Sequence, residues 1–596
     1  MRTADYIFQF LADRGVRDVF MVSGGGAMFL NDALGSEPRL RAVCTHHEQG
    51  AAIAAEGYAR VTGGPAVVSV TTGPGGTNAL TGVIGEWLDS QPVLYLSGQV
   101  KFPTTVASVP ELPLRQLGDQ EINIVDIVRP VTKYAKMVTD PLDIRRELEK
   151  ALCIACSGRP GPVWLDIPIN VQSAEIDPAA LHGEENVPES KPEIPAETIE
   201  RVVETLLSAS SPVLVTGQGI RLSGNLAGFE KLVERLKIPV LGSFNSFDLL
   251  PTGSPYSIGR IGTIGTRAGN IALQNADWVL CLGTRNNIRQ VSYNHENFAK
   301  RAKELIVVDI DAAELAKPTV KPTLPVHGDA GEFIDRLLAA LAARELPDWS
   351  RWFAWNRERK ERYPVVLPEY RSAAGLNPYA LMEPLCEQLP ADAVVSCTNA
   401  TPSLALFQAG AVKRGQRMFC NSGCAAMGFG LPAALGAAAA VRGKRPVVCL
   451  EGDGSLMMNL QELQTIRHNG FPVKLFLFDN NEYCSIRQTQ DSFFAGRHTG
   501  CDNGSGVTFP EWQAIAAAFG WRYLRLDSLA DAAATVAEAL AFDGPVFCDC
   551  VLAPGYTFAP KLSSRRLPDG SIISPSLEDM FPFLPREEME ANRYEA

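Results

Sequence analysis

Short apolar runs recur along the whole chain, each followed by an Ala-rich or amphipathic helical pattern. They are too brief for a helix and lack the polar–apolar alternation of a half-wetted strand. Strands buried on both faces read this way, and they belong to parallel sheets covered by helices on each side. The first stretch contains Ala66 to Thr71, Val93 to Leu96 and Val163 to Ile167; the second contains Val213–Thr216, Val240–Leu241, Trp278–Leu282 and Ile306–Ile310. The third contains Val394–Ser396, Val447–Leu450, Lys474–Phe478 and Val546–Val551. At 596 residues the chain exceeds the ~250–300 at which one core stops growing. The expected fold class is α/β, with three doubly wound parallel-sheet domains at 1–180, 196–345 and 375–553, and a C-terminal tail at 554–596.

The stretch from Glu175 to Pro195 is polar, acidic and Pro-rich, a linker by composition. A charged, Trp-containing segment, DWSRWFAWNRERKERYP, separates the second domain from the third, and the tail after Pro554 reads as irregular. Lys and Arg number 55 against 67 Asp and Glu, a net charge of −12, which is the opposite of the basic face a nucleic acid needs. No apolar stretch reaches the ~20 residues of a membrane span, and the start, MRTADYIFQFLADRG, carries charge throughout. Thirteen scattered cysteines are no disulfide framework. Cys153-Ile-Ala-Cys156 reads as a buried helix face and Cys548-Asp-Cys550 as a core strand. These features suggest a cytoplasmic protein whose partners are small molecules, with neither nucleic acid nor membrane among them.

The most specific local signal lies in the third domain. The run PVVCLE leads straight into Gly452-Asp453-Gly454-Ser455 and a helical pattern, and a second strand, VKLFLFDNNEYCS, places Asn480 27 positions after Asp453. Glycines admit a phosphate to the backbone, and a helix start offers free N–H groups. A carboxylate and an amide oxygen at the ends of two strands suit Mg²⁺, a hard cation that takes oxygen ligands. The pattern is that of a diphosphate held through a divalent metal.

These segments resemble the thiamine-diphosphate motif of the acetolactate synthase and pyruvate oxidase superfamily. The likeness continues over most of the chain. The first domain holds Thr45-His46-His47-Glu48-Gln49-Gly50-Ala51-Ala52, AAEGYARVTG, TTGPGGTNALTGV and GRPGPVWLDIPINVQ, and the third holds NSGCAAMGFGLPAALGA. The resemblance implies a pyrimidine-binding first domain, a central FAD- or nucleotide-binding-like domain and a diphosphate-binding third domain, with thiamine diphosphate, Mg²⁺ and FAD as cofactors. It also implies the site residues. Glu48 matches the glutamate that bonds the aminopyrimidine and shares a proton with it, and Met427 matches the apolar wedge that bends the cofactor. Asp453, Asn480 and the backbone carbonyl of Glu482 match the metal ligands; Gly454, Ser455 and Thr401 lie where the family contacts the diphosphate. Gln120 matches a glutamine near the reacting carbonyl. Gly262, Gly265, Gly283, Arg285 and Asp309 fall where acetolactate synthases hold their flavin. His46 and His47 suit either proton transfer or a structural role. The family's assembly implies a homo-oligomer, a dimer or a homotetramer, whose active site joins the first domain of one subunit to the third of another.

Two positions depart from the acetolactate pattern. Asp119 stands where the family has an aromatic residue, and Thr489 where acetolactate synthases place a tryptophan. Both changes remove bulk and add polarity beside the acceptor, and pocket volume and polar groups set specificity. The tail DGSIISPSLEDMFPFLPREE and the segment LGDQEINIVDIV resemble the thiamine-diphosphate acyltransferases of branched-chain deoxysugar pathways. The function so implied is a carboligase that decarboxylates a 2-oxo acid such as pyruvate and transfers the acyl unit to a ketone or aldehyde acceptor, a nucleotide ketosugar among them. The alternatives are acetolactate synthase proper, a 2-oxo acid decarboxylase, a cyclic dione hydrolase, and a non-catalytic scaffold.

Overall fold

A computed structural model of the chain describes residues 1–184, 191–372, 375–566 and 569–595; residues 185–190 of the expected linker, and residues 567, 568 and 596 of the expected tail, lie outside them. Three six-stranded parallel sheets form the framework, as the apolar runs implied. The first contains β1 (Asp18–Met21), β2 (Arg41–Cys44), β3 (Ala66–Val70), β4 (Val93–Gln99), β5 (Tyr134–Met137) and β6 (Val163–Pro168), in the order β2-β1-β3-β4-β6-β5. The central sheet contains β7 (Pro212–Thr216), β8 (Val240–Gly242), β9 (Ser257–Arg260), β10 (Trp278–Leu282), β11 (Glu304–Asp309) and β12 (Leu324–His327), in the order β12-β11-β10-β7-β8-β9. The third contains β13 (Val394–Cys397), β14 (Arg417–Cys420), β15 (Val447–Gly452), β16 (Lys474–Asp479), β17 (Arg522–Leu526) and β18 (Val546–Val551), in the order β14-β13-β15-β16-β18-β17.

The first and third sheets therefore share one topology and the central sheet has another. In each, the connections reverse direction at one point, and a crevice opens there beyond the carboxyl ends of the strands. That point lies between β1 and β3, between β7 and β10, and between β13 and β15.

All eleven runs read from the sequence are strands, and of the seven other strands in these three sheets six are sheet edges: β2, β5, β9, β12, β14 and β17. The seventh, β1, pairs with the edge strand β2, with Val19 beside Ala42. Edges are short and mixed in polarity, as in Arg522–Leu526 (RYLRL), so they carry no continuous apolar signal.

The first and third domains share one core. Helix Glu48–Thr62 lies along helix Gly430–Val441, and Val68, Ala54, Ala433 and Leu475 belong to a single buried cluster. The crossing is tight enough that a Cβ on Gly436 would sit 1.8 Å from the carbonyl oxygen of Ala54. The Trp-containing segment is more than a separator. It forms helix Ser350–Arg362 on the central domain, where the indole of Trp352 donates to the Pro212 carbonyl (2.9 Å). The tail is likewise ordered against that domain: Tyr594 packs on Trp352 at 4.7 Å, and the Asn270 amide donates to the Leu577 carbonyl (3.0 Å). Among the described residues no helix is long and apolar enough to cross a membrane.

Candidate functional site

In the third domain the crevice between β13 and β15 collects the residues singled out by motif. β15 ends at Gly452, and helix Asp453–Leu456 begins at once, which buries Asp453, Gly454 and Ser455. One Asp453 oxygen, Oδ1, accepts the Gly454 N–H (2.7 Å); the other, Oδ2, accepts the N–H groups of Asn480 (3.0 Å) and Asn481 (2.7 Å). Burial raises the Asp453 carboxyl above its ordinary range. No Lys or Arg forms an ion pair with it among the described residues. Asn480 is at the end of β16, and its Oδ1 accepts the Glu482 N–H (3.2 Å), while the Glu482 carboxylate is held by Arg487 (2.6 Å). Hard oxygens from Asp453, Asn480 and the backbone around Glu482, gathered about a buried acid with no cationic partner, fit a divalent metal.

The turn around Ser455 and Gly428 is held as tightly. The Ser455 hydroxyl lies 2.5 Å from that of Thr398 and accepts the Gly428 N–H (2.7 Å), and the Asn459 amide donates to the Gly428 carbonyl (2.7 Å). Met427, beside Gly428, reaches Gly454: a Cβ on that glycine would lie 3.4 Å from the Met427 methyl and 2.2 Å from the Tyr483 ring. Thr401 is buried, and its hydroxyl lies 2.9 Å from that of Tyr556.

In the first domain Glu48 opens its helix, capped by the His47 ring, which accepts the Gln49 N–H (3.0 Å); His47 is thus a capping residue. Glu48 is 8% exposed, and its Oε2 accepts from the Asn78 amide (3.0 Å). Gln120 is exposed with a positive φ of 59°, and its carbonyl lies against Gly73, where a Cβ would sit 2.2 Å away. Gly73 and Gly75 belong to one turn after β3, and a Cβ on Gly75 would be 3.7 Å from Glu48 Oε1. The backbone of Gln120 and the carboxylate of Glu48 therefore lie against the same turn. Among the described residues no hydrogen bond or ion pair joins Glu48 to Asp453. Asp119 is exposed beside Gln120. Thr489 is exposed too, with its hydroxyl donating to the Ser485 carbonyl (3.0 Å), so that group is already engaged.

A cavity of about 780 Å³ opens at the reversal point of the central sheet, bounded by the loops after β7 and β10 and by residues Leu88–Ser90 and Ser157–Pro160 of the first domain. Gly283, Arg285 and Asp309 line it; Gly262 and Gly265 do not, but their neighbours Ile261 and Ile264 do. The loops after β7 and β10 touch without side chains, since a Cβ on Gly217 would lie 2.0 Å from the Gly283 carbonyl oxygen. Burial pushes Asp309 up to about 6, and Asn245, also in the lining, has a buried side-chain oxygen with no partner. A close backbone approach, a strand-end acid and an unpaired buried oxygen fit a dinucleotide such as FAD. Cys153 and Cys156 line this cavity as well, and neither is core: helix Ile144–Cys156 turns Leu148, Ala151 and Ala155 inward, leaving Cys153 half-buried and Cys156 exposed. Cys548 and Cys550 are buried as read.

One buried network was not legible in the sequence. Arg60, with no exposed side-chain surface, pairs with Glu56 (2.7 Å) and Asp89 (2.7 Å). Asp89 accepts the N–H groups of Ser422 (2.9 Å) and Gly423 (3.0 Å), and Glu56 accepts from the Asn421 amide (3.0 Å). The network ties the Glu48 helix and the cavity wall to the turn that leads into Met427. Glu56 and Arg60 are one helical turn apart, but Asn421, Ser422 and Gly423 lie more than 300 residues further along the chain, so no motif spacing could reveal the whole network.

Three family models match: "Thiamine pyrophosphate enzyme, N-terminal TPP binding domain" over residues 1–126, the central domain over 199–337 and the C-terminal TPP binding domain over 401–550. The chain is 34% identical over 582 residues to a probable acetolactate synthase 2, chloroplastic, of Oryza sativa subsp. japonica, which spans 94% of this chain and 84% of that protein. It is 32% identical over 567 residues to the acetolactate synthase large subunit of Lactococcus lactis, 93% of each. It is 32% identical over 547 residues to the acetolactate synthase isozyme 1 large subunit of Escherichia coli, 91% of this chain and 92% of that one.

Proposed function

The chain belongs to the thiamine-diphosphate-dependent enzymes of the acetolactate synthase and pyruvate oxidase superfamily, as a carboligase, and we propose that its reaction is the condensation of two pyruvates to acetolactate with release of carbon dioxide. The observation that carries this reading is likeness to three acetolactate synthases over more than nine-tenths of the chain, and the buried Glu48 and the Asp453–Asn480 oxygens support it.

When bound, thiamine diphosphate supplies an acidic carbon and an electron sink that lets a 2-oxo acid lose carbon dioxide. Asp453, Asn480 and the Glu482 carbonyl would hold Mg²⁺ against its diphosphate, with Gly454, Ser455 and Thr401 on the phosphate side. Glu48 keeps Oε2 on Asn78 and has Oε1 to hold or return a proton at the aminopyrimidine. Met427 supports the cofactor from the Gly454 side, and Gln120 orients the substrate carbonyl. FAD would occupy the cavity lined by Gly283, Arg285 and Asp309.

A second copy of the chain completes the site. Both crevices are rimmed by exposed apolar side chains: Met28 (52%) and Leu117 (45%) by the first, Met457 (42%), Ile486 (48%) and Phe494 (53%) by the third. Such surface calls for a partner, and a two-fold dimer would bring each crevice to the other type. Thirteen free cysteines support a reducing, cytoplasmic setting.

A second reading, a neutral ketone or ketosugar acceptor, is favoured by the exposed Asp119, whose charge would repel a 2-oxo carboxylate. The test is product analysis with pyruvate alone and with a competing neutral ketone. Acetolactate as the main product in both supports the first reading, and a mixed ketol as the main product in competition supports the second. Turnover of a cyclic dione without carbon dioxide release from pyruvate would remove both.

A further inference from the structure

Tyr556 comes from the first turn of the C-terminal segment, 76 residues after Asn480, and was assigned no role by any motif. Its phenol is buried between the two halves of the third-domain crevice. The oxygen accepts from Asn480 Nδ2 (2.9 Å) and lies 2.9 Å from the Thr401 hydroxyl. Its backbone carbonyl accepts from the Gln488 amide (3.2 Å), which locks the turn onto helix Cys484–Phe494. Beyond it, the Pro560 carbonyl accepts from the Gln408 amide (2.6 Å) and the Leu562 N–H donates to Thr263 (2.7 Å) of the central domain.

An asparagine that ligates a metal must present its oxygen and not its NH₂, and the two ends of the amide differ only in their hydrogen bonds. At Asn480 both ends are specified. The Glu482 N–H can only donate, so it selects Oδ1 on one side; the Tyr556 oxygen, which can accept, takes Nδ2 on the other. We propose that Tyr556 is a positioning residue for the divalent metal, fixing the Asn480 amide with its oxygen toward the cation and thereby tying metal affinity to the seating of the C-terminal segment on the central domain. The inference rests on the assignment of Asp453 and Asn480 as metal ligands. Outer partners that orient a ligand are worth about 10–100-fold in metal affinity.

The test is a Mn²⁺ titration by electron paramagnetic resonance of the thiamine-diphosphate-loaded protein, with thermal unfolding as a control. Tyr556→Phe keeps the ring and removes the hydroxyl; it is expected to weaken Mn²⁺ binding by at least tenfold while the melting temperature shifts little. Asn480→Asp gives a ligand with two equivalent oxygens, which needs no orienting, so in that background Tyr556→Phe is expected to cost less than threefold. Equal losses in both backgrounds, or no loss in either, overturn the positioning role. Asp453→Ala separates the two claims. If it abolishes Mn²⁺ binding while Tyr556→Phe changes nothing, the metal site stands and the inference falls; if Asp453→Ala also leaves binding intact, the metal-site assignment itself is wrong.

Discussion

Replacing Arg60 with methionine keeps most of the side-chain volume and removes the cation that holds Glu56 and Asp89 together, both buried and each 2.7 Å from the guanidinium. Breaking a buried ion pair by deleting one partner costs about 3–5 kcal/mol, because the remaining charge is stranded. The two acids share that burden unequally. Asp89 keeps two backbone N–H donors, from Ser422 and Gly423. Glu56 is pushed up by burial to about 7 even with Arg60 present, so it can take a proton at little cost in mildly acidic solution. Without Arg60 its pKa rises further, and the mutant then loses stability relative to the native protein by about 1.4 kcal/mol for each pH unit above 7. The destabilisation should thus fall near the low end of the range at pH 6 and near the high end at pH 8. In a structural unit of this size that is a drop of roughly 10 °C in the unfolding midpoint. Calorimetric scans of Arg60→Met at pH 6 and 8 are the assay, with Glu56→Gln added to the same chain expected to restore part of the loss. A loss below about 1 kcal/mol, or one identical at the two pH values, would refute the reasoning.

Three further outcomes are expected. Glu48→Gln should preserve the fold and slow proton exchange at the acidic carbon of bound cofactor by orders of magnitude, read by NMR after quenching; near-native exchange would sink the role given to Glu48. Asp166 is buried, and burial lifts its carboxyl to about 7, so it contributes stability below its ordinary pKa that disappears as the pH climbs toward 7; Asp166→Asn should flatten the stability curve between about pH 4 and 7, and an unchanged slope in denaturant titrations would contradict this. Gly283→Val, placed in a left-handed φ of 61° and against Gly219, should lower flavin content measured by absorbance without removing Mn²⁺ binding, whereas full flavin occupancy would mean that the cavity is not its site.

The sequence by itself determined the architecture of the interior. Continuous apolar runs such as Trp278–Leu282 are incompatible with a wetted face, so they specify central strands of parallel sheets. The strand-end cluster was legible too, because Asp453 and Asn480 are placed by backbone geometry at strand ends that their own flanking residues encode. The edge strands were hidden, since a strand with one free side need not be apolar. The Trp segment read as a separator and the tail as irregular, because their partners are distant in the chain: Trp352 meets Pro212 of the central sheet, and Tyr594 meets Trp352. Tertiary structure alone decided which distant residues meet: it closed Asp89 and the Asn421–Gly423 turn on the Glu56–Arg60 helical pair, turned Cys153 toward a cavity and brought Tyr556 to Asn480. The physical reason is that spacing along a chain controls contacts only within a turn of helix or a neighbouring strand end. Contacts between elements depend on how sheets reverse and helices cross, as where Gly436 lets two helices close on each other.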